Sequence, residues 1–234
     1  MGLPTVALFA VTGSLSLADP VVGHPPTPDP ARYYVLVFGG QADRWRPRTA
    51  HTWATFVRAT PQPGGTRLVE AFTISWLPTT LDVRPLRLRP EPGKNFTLHE
   101  TLDRMAAGGQ RISMWGPFET TAAYHREAAG YKQVLDSGAI RYRAFDGPER
   151  RVDVNNCVHA VARTDPALDA ATDPIVWYGP VISRRVAKAM AEVGVVPEPT
   201  VTHEWLVPAL GIDRYEIDRK PVGQRSVHLF RPSR

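Results

Sequence analysis

The run Tyr33-Tyr34-Val35-Leu36-Val37-Phe38, closed by Gly39-Gly40, is apolar and β-prone without interruption. Such a stretch between turn signals reads as a strand buried on both faces. Two further strands are predicted over 51–59 (HTWATFVRA) and 67–76 (RLVEAFTISW), flanking Thr60-Pro61-Gln62-Pro63-Gly64-Gly65. β-Branched and aromatic residues on both sides of a Pro/Gly loop predict a hairpin. Four prolines and alternating Leu/Arg between 77 and 92 predict an extended edge or loop segment, since proline removes a ladder donor. Its place between the hairpin and the later helices suggests that the stretch 77–117 covers a cleft.

Helical spacing begins further along the chain. The segment 118–135 has Pro117 just before it, Glu119 in its first turn and Gly138 behind it. A short helix is expected over 155–163, capped by Asn155 or Asn156, and a third over 183–193, closed by Gly194. Residues 140–145 (IRYRAF) alternate as a strand does. With no internal repeat, the expectation is one α+β domain over 32–234. Ahead of it, 1–18 is apolar and uncharged and ends in Ser16-Leu17-Ala18, the small-x-small pattern of a cleaved signal peptide, although no Lys or Arg precedes the apolar run. A frayed or mis-started N-terminus is the alternative. Five prolines in 19–30 make 19–31 a linker. Export to the periplasm or the extracellular space is therefore expected.

Composition narrows the class. In 234 residues, 43% apolar and 22% charged residues exclude collagen, coiled coil and wholesale disorder, and 23 prolines argue against an all-α bundle. The charge is 28 Lys+Arg against 23 Asp+Glu, net +5. The sequence pI is about 9.6. The arginines are scattered without a reading motif, so no nucleic-acid partner is expected. Nor does the body of the chain hold an apolar window long enough to insert stably in a membrane.

The single cysteine cannot form an intramolecular disulfide. Cys157 falls in the first turn of a predicted helix, where free N–H groups and the helix dipole favour an anion; a depressed thiol pKa and a nucleophilic role are the expectation. The alternative is a small buried hydrophobe. His51, opening the second strand, is the candidate base, and Glu70, an acid within an otherwise apolar strand, the candidate orienting group. The Glu70 pairing requires a turn centred on Thr60-Pro61. A turn centred on Pro63 brings His51 opposite Ser75, so Ser75 and Thr73 are the fallback third residues. Gln41, Asn155 and Asn156 are candidate oxyanion donors alongside the Cys157 backbone N–H. His159, Trp115, Trp177-Tyr178 and Trp205 read as structural, and with no second pair of soft ligands neither metal nor cofactor is expected.

His51-x-x-Ala54 on a strand, Val69-Glu70-Ala71 on the return strand and Asn156-Cys157-x-His159 opening a helix together resemble the circularly permuted papain-like families. These are the NlpC-type enzymes whose histidine precedes the cysteine, including YiiX-like proteins and the lecithin retinol acyltransferase group. Asn156-Cys157-Val158-His159-Ala160 matches three positions of the latter's Asn-Cys-Glu-His-Phe motif, and Glu70-Ala71 matches the Glu-Ala of the former. The likeness covers the hairpin and the cysteine helix, about a third of the chain. Arg48-Thr49-Ala50 departs from the Gly-Asp-type start that precedes the histidine strand. The resemblance implies a papain-like antiparallel sheet packed on a nucleophile-bearing helix. It also implies a thiol hydrolase or acyltransferase, acting through a thioester on an amide or ester bond of a cell-envelope peptide, a lipid or another small molecule. A non-catalytic secreted binding or structural module on the same scaffold, with an inert cysteine, is the other expectation.

Overall fold

The computed structural model describes residues 30–42, 49–146, 151–172 and 179–223. The expected signal peptide, nearly all of the linker, and Trp177-Tyr178 lie outside the described residues.

The central strand is β1 (Arg32–Gln41), and the hairpin is β2 (His51–Pro61) with β3 (Arg67–Ile74). Gly64 and Gly65 turn the chain at φ +85° and +81°, a backbone region that suits glycine, and so fix the hairpin register. The register runs from Pro61 opposite Arg67 to Ala54 opposite Ile74. Pairing stops there, because Ser75 leaves the ladder and the chain enters a second sheet at β4 (Trp76–Pro78). The predicted strand 67–76 is thus two strands broken at Ser75.

Residues 77–92 form no single edge. After β4 the chain runs as a strap over 79–90, then returns as β5 (Glu91–Asn95). Next comes α1 (Leu98–Ala107), a helix that the sequence pattern did not predict, although Thr97 and Glu100 close a reciprocal capping box at its start. The segment expected as a helix from 118 is strand to 120: β6 (Arg111–Thr120) pairs with β1 through Pro117. Proline is tolerated there because the register slips between Val35 and Val37, where Gly116-Pro117 is cis. The helix itself is α2 (Ala122–Asp136), capped by Thr121. The strand expected over 140–145 shrinks to β7 (Arg141–Tyr142), which pairs with β8 (Val154–Asn155).

The remaining elements are α3 (Cys157–Ala162), α4 (Pro166–Ala171), α5 (Gly179–Glu192), α6 (Leu206–Ala209) and β9 (Ile217–Arg219). The main sheet has the order β3-β2-β1-β6-β9, antiparallel except for the β6–β9 pair, and the small sheet the order β4-β5-β7-β8. The chain is a mixed α+β protein. Alternation in β1 sends Val35 and Val37, with Ala54 and Phe56, into a core shared with α2, α3, α4 and α5. Tyr34, Leu36 and Phe38, with Trp53 and Val57, pack on α1 and α6. Both faces of the sheet are covered, which is why β1 reads as continuously apolar. Trp115 is wholly buried, and Trp205 carries the Arg67 guanidinium 4.6 Å above its ring. Among the described residues no helix is long and apolar enough to cross a membrane.

Candidate active site

Strand β8 runs directly into α3, and Asn156 caps the helix: its side-chain oxygen accepts the N–H groups of Val158 and His159, both at 2.8 Å. Asp146 holds the cap from behind, accepting from the Asn156 backbone N–H at 3.3 Å and from its amide nitrogen at 3.1 Å. The same carboxylate meets His159 Nδ1 at 2.5 Å, with both side chains fully buried. His159 is therefore structural, as expected. This clamp fixes Cys157 as the first helical residue.

Cys157 is 9% exposed, and the backbone N–H of Thr52 points at its sulfur. Thr52 is seated by α5: its hydroxyl lies 2.8 Å from Ser183 Oγ, which donates to Gly179 O at 2.7 Å. Gly179 permits that approach, since a Cβ there would stand 2.2 Å from Gly40 O. Contrary to the expected depression, burial pushes the thiol up to about 11, and the nearby Asp146 carboxylate adds to it. The N–H groups of Thr52, Cys157 and Val158 only partly oppose this. A six-residue helix whose leading N–H groups are already taken by Asn156 offers little to outweigh desolvation.

His51 opens β2, is 2% exposed, and stacks on Trp53 with ring centroids 5.3 Å apart. Its Nε2 lies 2.9 Å from Ser75 Oγ. Its Nδ1 is buried and has no hydrogen-bond partner among the described residues. Burial, reinforced by the Arg104 charge, lowers the imidazole to about 3, so the ring is neutral. His51 and Cys157 line one small cavity of about 40 Å³ but are not hydrogen-bonded to each other. Val83 of the strap, Tyr142, Ala144, Gly179 and Ile182 complete its wall.

Glu70, the first candidate for the third position, does not reach the histidine. With the hairpin turning at Gly64-Gly65, Glu70 stands opposite Arg58 and pairs with it at 3.5 Å on an exposed surface, away from His51. Ser75, a fallback, makes the contact instead. Thr73 is engaged across the ladder with Thr55 at 2.9 Å. Of the oxyanion candidates, Gln41 bridges Thr49 and the Gly179 N–H, Asn155 is tied to Tyr131 and Arg163, and both amide atoms of Asn156 are engaged in the cap. Each of the three amide nitrogens thus gives one of its two N–H groups to a neighbour within the protein. Tyr142 was not anticipated; burial, then the neighbouring Cys157 and Glu91, raises its hydroxyl well above the usual tyrosine value, so it stays protonated on the cavity wall. A lone tyrosine in a two-residue strand gives no pattern from which to foresee this.

Comparison with known proteins yields no match: neither a family model, a curated protein nor a solved structure is found for this chain.

Proposed function

We propose that the protein is a thiol hydrolase or acyltransferase on a permuted papain-like scaffold, with Cys157 as nucleophile, His51 as base and then acid, and Ser75 as the orienting group. The observation that carries the reading is the shared cavity. A cysteine at a helix start and a buried histidine on β2 line it together, and the histidine has one nitrogen tied to Ser75 and the other without a hydrogen-bond partner among the described residues. The histidine-before-cysteine order, the hairpin and the Asn156-Cys157-x-His159 helix start support it.

The chemistry tracks the protons. Sγ attacks a carbonyl carbon as its proton passes to His51 Nδ1; the tetrahedral intermediate collapses to a thioester while the imidazolium protonates the leaving amine or alcohol. Water or a second nucleophile then releases the acyl group. Tyr142 is the protonated hydroxyl on the wall that is suited to donate to the developing oxyanion. Since the closed site holds a neutral thiol and a neutral imidazole, proton transfer accompanies attack and no ion pair waits beforehand. A cavity of about 40 Å³ admits a water or two and no acyl group, so a substrate must displace the strap at Val83. The water that enters then moves the two pKa values towards each other.

The second reading is a non-catalytic module. The Thr52 N–H on the sulfur and the high thiol pKa favour it. The deciding experiment is intact-mass analysis after incubation with activated acyl esters and amides. An acyl adduct on Cys157 that forms in the native protein and is lost in His51→Ala supports the enzyme. No adduct in the native protein, with alkylation of Cys157 only after denaturation, supports the module.

A further inference from the structure

We propose that the tip of the strap over 79–90, where Leu86 and Leu88 stand among Arg84, Arg87 and Arg89, is a docking surface for an anionic lipid bilayer. The docking is peripheral, and it does not depend on the chemistry assigned to Cys157.

The tip holds its apolar side chains outward. The Arg87 N–H donates to Arg84 O at 3.1 Å, closing a turn with Pro85 and Leu86 at its corners. An open recess of about 560 Å³ is lined by residues of 82–87 alone, so this part of the strap stands off the body of the protein. Leu86 is 89% exposed and Leu88 84%. Past the turn, the Leu88 carbonyl accepts from Arg143 at 3.3 Å, which ties down the backbone and leaves the leucine side chain in solvent. Two leucines this exposed, two residues apart, form an apolar knob and not a scattered surface residue.

The charges around the knob select what it meets. Arg84, Arg87 and Arg89 alternate with the leucines, and Asp82 is the one acid in 79–90. Arg84 keeps a surface pair with Asp82 at 2.6 Å and Arg87 turns back to Glu91 at 3.0 Å, while Arg89 is exposed and Arg143 brings a fourth guanidinium to Leu88. An acidic macromolecule in water would give the arginines a partner and leave the leucines wet. A bilayer satisfies both, with anionic headgroups at the level of the arginines and hydrocarbon just beneath for the leucines. Val83, three residues before Leu86, lines the thiol cavity, so a docked strap holds that cavity at the lipid surface.

The test is co-sedimentation of the full chain, at about 0.1 M salt, with vesicles of phosphatidylcholine alone or of phosphatidylcholine mixed with phosphatidylglycerol. The wild type should pellet with the mixed vesicles and stay in the supernatant with the neutral ones. Leu86→Ser/Leu88→Ser should weaken the binding by about 10²-fold or more, and Arg84→Gln/Arg89→Gln by about tenfold. All four side chains are exposed, so both variants should unfold at the wild-type urea midpoint. A wild type that binds neither kind of vesicle, or both alike, overturns the proposal, and so does binding that survives Leu86→Ser/Leu88→Ser undiminished. Loss in the arginine variant alone would also overturn it and assign the surface to a soluble acidic macromolecule. No step at Cys157 enters this readout, so the docking and the enzyme reading stand or fall separately.

Discussion

At the scale of single residues, two carboxylates illustrate how little residue type decides without an environment. Glu70 lies in the middle of an apolar strand in sequence, yet its side chain is exposed and meets Arg58 at the surface. Surface pairs of this kind contribute about 0–1 kcal/mol. Glu70→Gln should therefore change the unfolding free energy measured in urea by less than about 0.5 kcal/mol and leave acylation or alkylation of Cys157 at the wild-type rate; a large loss in either would return Glu70 to the site. Asp146 sits in an ordinary loop by sequence, but it carries the cap of α3 and the ring of His159 in full burial. Removing it leaves Asn156 and His159 without their acceptor. Asp146→Ala should cost about 3–5 kcal/mol by chemical denaturation, whereas the neighbouring surface pair Arg151–Asp153 should tolerate Asp153→Ala with little change.

Among the elements, the strap over 79–90 contributes Val83 to the cavity wall. It is anchored at its root: buried Glu91 accepts from Thr80 at 3.3 Å and Arg87 at 3.0 Å, and Arg104 donates to Leu81 O at 3.1 Å. Leu81 itself is held at φ +59°, an unfavourable backbone conformation for leucine. Leu86 and Leu88 are 89% and 84% exposed, so the far part of the strap contributes little burial to hold it down. Glu91→Gln weakens the anchoring by removing a charge-assisted contact, a loss on the order of 1.4 kcal/mol. Iodoacetamide should then reach Cys157 about tenfold faster in the folded protein, with no comparable change in the midpoint of global unfolding; an unchanged rate would mean that the strap does not gate the thiol. The elements also show where the sequence was legible. β1, the hairpin and the capped start of α3 were readable because an unbroken apolar run, a Pro/Gly turn and an asparagine cap are local signals. β6 was not, since Gly116-Pro117 looks like a break and only the slipped register against β1 accommodates it. The third site residue depended on hairpin register, and the turn at Gly64-Gly65 gives a register that matches neither expected pairing: the ladder ends at Ala54 and Ile74, and Ser75 meets His51 from the break between β3 and β4. Burial of the thiol and the place of Tyr142 on the cavity wall come from elements distant in sequence, so no local pattern carried them.

For the molecule as a whole, the buried site leaves a mark on pH-dependent stability. His51 is held near 3 when folded and titrates near 6.5 when unfolded, so below 6.5 the unfolded chain takes up a proton that the folded one refuses. Stability should decline by about 1.4 kcal/mol per pH unit as the pH falls from 6.5 towards 3 on account of this group. Half-buried His125, also lowered, adds in the same direction. At the other extreme, Cys157 is near 11 folded against 9.0 unfolded, so stability falls again as pH rises from 9 to 11. Urea midpoints across pH 4–8 should show a shallower acid slope in His51→Gln than in the wild type; parallel slopes would place the ring in water.

The two-faced central sheet has a further bearing on how the chain is made. One face of β1 and β2 is covered by α1, which comes soon after the hairpin, but much of the other face waits for α3 and α5, more than a hundred residues after β1. During synthesis Val35, Val37, Ala54 and Phe56 therefore emerge long before all their cover does. A nascent chain in that interval presents an adhesive half-built surface, and it would depend on a holding chaperone or on speed to stay out of aggregates. A chain stopped after residue 146 should accumulate as insoluble material, recoverable by co-expressing the remainder, while the full-length protein stays in solution.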